Sequence, residues 1–529
     1  MEGNGLVLTL GHGSSAIYIV NNEVLCGYQT ERLTKIKGDS RFPMLAIEEI
    51  SKHYYIPENV DIYISHWHPS GHVEQMNQKH YDEYYIKRRF PNSKIISVDN
   101  HFTHHDAHAY SATAYNTEIA LGDAILVADG FGTFGEVISL YTMGNNGPDL
   151  VKRVFGFSNS LGLLYQFATD YVGLKQNQDE WKLNALASHC PENKVHDVYR
   201  HAQVYASNMI ERHKRYQLGS DDPITNIGAL SATHFDIAKM LNERFHVSQR
   251  AEIAFFLQCV VEEVFSYWIE YYDIKRLTVA GGCFLNVQLN GYLSEQVQSF
   301  CAMPLSGDEG AGLGIFKLYN PEFYIRDDLC WGIRDLIPVD DNTGIYYLNH
   351  EAAKAFLRKN LKEDKIVNIV RGKMEFGPRA YCNTSTLALP SEENRQYINM
   401  VNQRDEHMPM CPVVSVDQYS RMFISIDGIV RSVRHMIVAL PIKEQYAKKY
   451  LGVVHWLLAR YFTARPQVVG PDHWMYSIVM EFGPLINTSF NNHGKPICLS
   501  VSDAILCHQY MKERDKEDRV VTIIEVNHG

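Results

Sequence analysis

Four times along this chain a short apolar run meets a glycine-bearing polar turn, and that repetition constrains the fold more than any other feature. Residues 6–10 (Leu-Val-Leu-Thr-Leu) lead into Gly11-His12-Gly13-Ser14-Ser15, residues 124–128 into Asp129-Gly130-Phe131-Gly132, and residues 277–280 into Gly281-Gly282-Cys283-Phe284-Leu285-Asn286. A further glycine-rich turn is read in residues 306–314, Ser-Gly-Asp-Glu-Gly-Ala-Gly-Leu-Gly. Short apolar runs bounded in this way read as buried strands of an α/β fold. Glycines at the strand end admit a ligand close to the backbone, and a following helix amino terminus favours phosphate. For the first turn taken alone, a plain hairpin would use the same residues.

The densest group of metal-ligating side chains, His104-His105-Asp106-Ala107-His108, lies some twenty residues before Asp129. If this segment is helical, the four-residue spacing puts His104 and His108 on one face, where they can share an ion. A helix start with solvated histidines is the bland alternative. Because residues 124–128 deliver Asp129 to a glycine turn soon afterwards, a divalent-metal site is expected here, and Asp308 is able to approach a cation. A mixed imidazole and carboxylate set suits iron, manganese, zinc or magnesium, and softness alone does not choose among them.

The remaining segments are plainer. Residues 31–39 alternate in charge and read as a solvated loop or helix face; residues 68–94, with Tyr81, Tyr84, Tyr85 and Lys87-Arg88-Arg89, read as a surface helix that would also suit stacked bases and phosphates. Residues 160–187 have helical periodicity interrupted near residues 177–180, and Lys182 there would be expensive to bury without an anionic partner. Residues 191–245 are polar and variable in pattern, with a basic-aromatic patch at Arg212-His213-Lys214-Arg215-Tyr216, and residues 251–272 form a long apolar helix. A turn-rich segment near 335–350 predicts a boundary, with domains 1–345 and 346–529. Beyond it, Arg371, Arg379, Arg404, Arg465 and Lys495 suit a small phosphate-bearing or carboxylate substrate, against the bland view of surface salt bridges.

Bulk composition excludes several classes. Hydrophobic residues make up 45% and charged residues 21%, with no apolar run long enough for a membrane span. The opening ten residues do not read as a secretory signal, so a cytoplasmic location is expected. Ten cysteines occur without a CxxC pair, which argues against zinc ribbons and a disulfide framework. The net charge of -11 supplies no global attraction to nucleic acid.

Taken in order, the motifs resemble the O-carbamoyltransferases of the nodulation-factor, cephamycin and tobramycin type. The resemblance spans nearly the whole chain and rests on residues 11–16, 31–39, 104–108, Asp129-Gly130, 160–165, 280–282, 307–310, 374–380, 463–467 and 485–491. It implies an actin-like duplicated α/β amino-terminal domain that binds ATP and metal, fused to an α+β carboxy-terminal domain similar to the threonylcarbamoyl-adenylate synthase fold that handles carbamoyl phosphate. It further implies cleavage of carbamoyl phosphate, internal passage of carbamate, attack on ATP to give carbamoyl-adenylate, and transfer to an acceptor hydroxyl. His108, Asp129 and Asp308 match the family's metal ligands, with His104 a neighbouring candidate and Fe2+, Mn2+ or Mg2+ the expected ion. His12 matches a first-turn histidine acting on the acceptor hydroxyl, and Lys37 a lysine near the carbamoyl-handling channel. Gly130, Gly132, Lys182, Gly281, Gly282, Asn286 and Gly310 are the candidates on the nucleotide side; Arg371, Arg379, Arg404, Arg465, Asn487 and Ser489 are those for carbamoyl phosphate.

The chain departs from the family pattern twice, with Thr384 and Met408 where arginines are usual, which bears on donor affinity. The acceptor is less legible than the donor. The basic-aromatic stretches make a hydroxymethylated DNA base of the 5-hydroxymethylcytosine type a candidate, level with a sugar hydroxyl; small-molecule co-substrates, no membrane partner and an open choice between monomer and homodimer complete the expectation. Two other classes stay open at this point: a tRNA threonylcarbamoyl-transfer enzyme, and a non-catalytic actin-like ATP-binding scaffold.

Overall fold

The computed structural model describes residues 3–65, 73–99, 101–215, 227–326, 329–339, 344–424, 429, 431–457 and 461–526. They group into two compact units, one of Met1–Leu25, Gly38–Arg326 and Ile426–Ile429, the other of Cys26–Lys37, Asp327–Ser425 and Val430–Gly529. The chain thus changes unit at Arg326/Asp327, where the sequence places the division at 345/346. The strand Cys330–Gly332 pairs antiparallel with Met374–Glu375, which fixes the earlier segment to the second unit. Asp340, Asp341 and Asn342 of the turn-rich segment, the start of residues 68–94 and Tyr216 lie outside the described residues.

The first unit is built on two five-stranded sheets, although the end of one edge strand, from Cys26 on, is grouped with the second unit. One contains β1 (Gly5–Thr9), β2 (Ser15–Val20), β3 (Glu23–Gln29), β4 (Ile62–Ile64) and β5 (Ile95–Ser97) in the order β3-β2-β1-β4-β5. The other contains β6 (Ala124–Ala128), β7 (Glu136–Gly144), β8 (Gly147–Phe155), β9 (Arg276–Ala280) and β10 (Ser299–Ala302) in the order β10-β9-β6-β7-β8. In each sheet the first strand pairs antiparallel with the second and parallel with the fourth, so one strand order occurs twice in sequence. The sequence explains the centre of each sheet. Every residue of β1 and of β6 is buried, which requires uninterrupted apolar or small side chains, as in Gly-Leu-Val-Leu-Thr and Ala-Ile-Leu-Val-Ala.

Helices complete this unit, and two differ from the sequence expectation. Residues 191–245, polar in appearance, contain the 24-residue helix Glu192–Arg215, which buries Val198, Ala202, Ala206, Met209 and His213 at helical spacing. Its stripe is made largely of alanine and histidine, so hydropathy alone hides it. The glycines of residues 306–314 do not form an extended turn, because Asp308 begins the helix Asp308–Tyr319. Gly314 lets that helix press on His104–Tyr115, since a Cβ on it would lie 1.8 Å from the Ala107 carbonyl oxygen. No helix among the described residues is long and apolar enough to cross a membrane.

The second unit has a mixed seven-stranded sheet, so both units are α/β. Its strands are β11 (Cys330–Gly332), β12 (Ile345–Leu348), β13 (Ile366–Val370), β14 (Met374–Glu375), β15 (Thr384–Ala388), β16 (Cys411–Ser415), β17 (Leu440–Pro441), β18 (His455–Leu457), β19 (Tyr461–Ala464), β20 (Gln467–Val469), β21 (Leu485–Ser489) and β22 (Val520–Glu525). The large sheet runs β12-β22-β13-β15-β21-β16-β20. Alternation along β13 builds a core on each face: Ile366 and Val370 join one buried cluster, Val367 and Ile369 the other. The charged stretch 31–39 is not wholly solvated. Arg32 is 2% exposed and donates to the Gly377 carbonyl at 2.8 Å and Gln29 Oε1 at 3.3 Å, within this same unit.

Candidate functional site

The helix His104–Tyr115 starts where it does because Thr103 and Asp106 form a capping box, each side chain bonding the other's backbone N–H. That start turns His104 and His108 to one side, and their Nε2 atoms come within 3.1 Å. Asp129, the first residue after β6, places Oδ2 3.2 Å from His108 Nε2 and 3.5 Å from His104 Nε2. Asp308, at the first turn of its helix, places Oδ1 3.2 Å from His104 Nε2 and 3.7 Å from His108 Nε2. One ligand atom from each of the four residues lies within 4.8 Å of the other three. Two imidazole nitrogens and two carboxylate oxygens converging in this way make a donor set that fits a divalent cation. The third imidazole of the sequence cluster, His105, is not part of the set, because its Nδ1 meets Ser139 Oγ at 2.8 Å.

Electrostatics agree with a site awaiting positive charge. Burial by itself lowers the proton affinity of His104, but Asp308 and Asp129 outweigh it and hold this imidazole well above its ordinary pKa. His108 is raised as well, burial again being outweighed by the two carboxylates. Burial pushes Asp129 up, yet hydrogen bonds from His104 and His108 outweigh that and hold it below the usual carboxylate range. Since the two carboxylates favour the protonated form of His104 and a ligating imidazole must be neutral, metal binding competes with that proton. The expected result is a binding heat at pH 7 that varies with the ionisation heat of the buffer, and an affinity that rises as pH rises above neutrality. Equal heats in buffers of different ionisation enthalpy would contradict it.

The glycines expected on the nucleotide side pack close to Asp129. Gly130 donates its N–H to Asp129 Oδ1 at 2.7 Å. Gly281 has a φ of 99°, and a Cβ on it would lie 2.3 Å from the Ala128 carbonyl oxygen; one on Gly282 would lie 2.9 Å from Asp129 Oδ1. Gly132 is tight against Glu136 and His104, while Gly310 lies inside the helix Asp308–Tyr319 rather than in a turn. Asn286 caps the helix Val287–Ser294, accepting from Leu289 N, and donates to Gln258 Oε1 at 2.8 Å. Lys182 has the anionic partner its burial demands, Asp179 at 3.0 Å. His12 is exposed in the turn between β1 and β2, close enough to Glu180 to act on its carboxyl. The patch expected at 212–216 is in part turned inward, while Lys214 and Arg215 stay exposed. Arg212 bonds Asn159 and Ser158, His213 is buried against Trp268, and Lys214 pairs with Glu211.

In the second unit, Arg404 and Arg465 lie close to Cys411, and Arg379 feels the charge of Arg465. Arg465 aims Nε and Nη2 at Cys411 Sγ, at 2.9 and 2.6 Å, and Arg404 donates to Thr488 Oγ1 at 2.8 Å. Burial and the neighbouring Arg465 press Arg379 down to about 9. Its Nε has no hydrogen-bond partner among the described residues, nor has Asn487 Oδ1. Asn487 Nδ2 instead donates to the Ala380 carbonyl at 3.0 Å, and Ser489 bonds Asn491. Such a group of guanidiniums, with no carboxylate in salt-bridge contact among the described residues, fits an oxyanion. Arg371 does not share this situation: it makes a two-point pair with Glu525 at 2.9 and 3.2 Å and stacks on Trp474. Lys37 is half-buried and groups with this unit. Thr384 accepts from Arg334 at 2.9 Å, and Met408 is fully buried, so neither position adds a cation to this group.

Sequence reasoning missed Glu136, which opens β7 at 0% exposure, and underread Glu375, whose Oε1 accepts the N–H groups of Tyr381, Asn383 and Thr384. A lone carboxylate at the head of the apolar run Val-Ile-Ser-Leu-Tyr was the available signal for the first. Comparisons with known proteins give the family. The family model Carbamoyltransferase N-terminus matches residues 86–315, and Carbamoyltransferase C-terminus matches residues 358–515. An uncharacterised protein of Methanocaldococcus jannaschii is 26% identical, with 94% of each chain covered. Nodulation protein NolNO of Sinorhizobium fredii is 25% identical over 94% of this chain and 76% of its own. The 3'-hydroxymethylcephem-O-carbamoyltransferase of Amycolatopsis lactamdurans is 26% identical over 46% of this chain and 47% of its own. With both parts of the family matched in order over most of its length, this chain belongs to the O-carbamoyltransferase family and is an enzyme, a carbamoyltransferase.

Proposed function

We propose that the enzyme cleaves carbamoyl phosphate, joins the released carbamate to ATP as carbamoyl-adenylate with loss of pyrophosphate, and transfers the carbamoyl group to an acceptor hydroxyl with release of AMP. The observation that carries this reading is the convergence of His104, His108, Asp129 and Asp308 at the carboxyl end of β6 and the amino terminus of a helix. On this reading the first unit is an actin-like nucleotide-binding domain, which its repeated strand order supports. The four ligands would hold Fe2+, Mn2+ or Mg2+, which when bound supplies Lewis-acid stabilisation of developing negative charge. Gly130, Gly281 and Gly282 keep side chains away from Asp129, Asn286 and Lys182 line the nucleotide side, and His12 receives the proton of the acceptor hydroxyl.

The second unit has the donor role, with a fold similar to threonylcarbamoyl-adenylate synthases. Arg379, Arg404 and Arg465 bind the phosphate and stabilise it as it leaves, Asn487 and Ser489 orient the carbamoyl group, and Lys37 assists there. Arg371 is left out, since Glu525 already neutralises it. For the acceptor we favour a hydroxymethyl group, the group carried in the name of the cephem enzyme. The helix Val73–Arg89 supports a polynucleotide carrier: Tyr81 and Tyr84 are 63% and 66% exposed beside Lys87, Arg88 and Arg89. The test is incubation of the purified enzyme with carbamoyl phosphate, ATP and each metal, against 5-hydroxymethylcytosine DNA, its free nucleoside and a set of saccharides. Mass spectrometry should find the carbamoyl increment on a hydroxymethyl acceptor with one AMP per transfer. A carbamoylated saccharide beside unchanged DNA would sink the nucleobase assignment, and absence of AMP with every acceptor would sink the adenylate route.

A further inference from the structure

We infer that Glu136 is the positioning residue that locks the His104/His108 pair onto the loop bearing Asp129, an inference that rests on the proposed metal-binding role of those side chains. The ligands come from separate elements, the histidines from the helix His104–Tyr115 and Asp129 from the end of β6. A metal site needs the relative position of such elements fixed to a fraction of an ångström, and side-chain packing around a histidine does not by itself fix the roll of its helix.

Glu136 supplies the link. Its Oε1 accepts the N–H of His105 at 2.8 Å, and its Oε2 accepts the hydroxyl of Thr103, the helix cap, at 3.0 Å. Thr133, three residues earlier in the same loop, accepts the N–H of His104 at 3.0 Å. Two of the first-turn N–H groups that a helix cannot satisfy internally, those of His104 and His105, are therefore bonded by the segment that follows Asp129. A carboxylate at this end of the helix is also favoured by the helix dipole. Gly132 reports how close the three parts are: a Cβ there would lie 2.7 Å from Glu136 Oε1 and 3.1 Å from His104 Cβ.

The cost of burying this carboxylate is offset by Arg153, whose Nε is 3.1 Å from Glu136 Oε2 and whose Nη2 is 2.6 Å from Asp106 Oδ1. Tyr141 adds a hydroxyl donated to Asp106 Oδ1 at 2.7 Å. A carboxylate serving only as a core partner for Arg153 could stand anywhere beside it. This one stands where its oxygens also reach the helix cap and the N–H between the two ligating histidines.

The experiment measures metal affinity of the full-length enzyme by competition with a chromophoric chelator, using Mn2+ and Co2+, for the wild type, Glu136→Gln, Glu136→Ala and Thr133→Val. All measurements are made well below the melting temperature of each chelator-treated variant. Glu136→Ala should bind both metals roughly 10–100-fold more weakly, the range for loss of a group that orients metal ligands. Glu136→Gln, which keeps an acceptor for the His105 N–H, should recover part of that loss, and the Co2+ absorption bands should shift in the alanine variant. If Glu136→Ala does not fold, the Gln and Thr133→Val variants decide, each expected to weaken binding several-fold. Unchanged affinity and an unchanged Co2+ spectrum in the folded variants, beside a wild type that binds metal, overturn the inference alone. A wild type that binds neither metal overturns the metal reading and the inference with it.

Discussion

Replacing Asp129 by alanine is expected to lower carbamoyl transfer by a factor of roughly 10³ or more, while phosphate release from carbamoyl phosphate continues. Asp129 is the shared partner of both histidines, with Oδ2 3.2 and 3.5 Å from their Nε2 atoms. Its loss removes one of two negative charges from the site and leaves two neighbouring imidazoles with Asp308 alone. An effect larger than one lost hydrogen bond is expected because ligands of one ion act as a unit, so single removals cost nearly as much as removing the set. Asp129→Asn is the sharper variant. It keeps the shape and removes the charge, so it should fold yet bind metal far more weakly and fail in transfer. The two half-reactions are separable by assay: phosphate released from carbamoyl phosphate, and AMP released from ATP. Persistence of both at wild-type rates in Asp129→Asn would remove this cluster from the chemistry.

The same cluster marks how far sequence reaches. His104 and His108 could be placed on one face because a four-residue spacing is a local property of a helix, and Asp129 could be placed near a strand end because an apolar run precedes it. Their mutual approach is tertiary. From its own segment Asp308 could be read only as able to approach a cation, and the resemblance to the family is what joined it to the histidines; the role of Gly314 was illegible because its reason is the backbone of another helix, at Ala107. Glu136 was overlooked for a related cause: the groups it serves, Thr103 and His105, are some thirty residues away, and an isolated glutamate reads as a strand end.

The arginines teach the complementary lesson. Arg371 and Arg465 look alike in sequence, each a cation among turn residues, yet one faces Glu525, 154 residues away, and the other a thiol. Charge type was legible, but the partner that makes an arginine structural or available was not. Likewise the basic-aromatic patch at 212–216 read as support for a nucleic-acid acceptor, while the fold turns Arg212 and His213 inward on Asn159.

That contrast yields the second large effect. Arg465→Ala is expected to lower kcat/KM for carbamoyl phosphate cleavage by about 10²–10³, the range for removing one preorganised donor of an oxyanion site. The melting temperature should hold or rise, because Arg465 has no carboxylate partner among the described residues and its charge helps press Arg379 down to about 9 and Arg404 to about 10, burial being the larger cause in each. Deleting it relieves repulsion between half-buried arginines. Arg371→Ala should do the reverse, since removing one member of a largely buried ion pair costs about 3–5 kcal/mol. It strands Glu525, lowers the melting temperature and leaves KM for carbamoyl phosphate nearly unchanged in the fraction that folds. Metal affinity should match the wild type in both variants. A group kept for binding pays its way in rate rather than in stability, so the pair of measurements separates the two roles. Should Arg465→Ala melt like Arg371→Ala and cleave carbamoyl phosphate normally, the cluster of guanidiniums is scaffolding and the donor site must be sought elsewhere in the second unit.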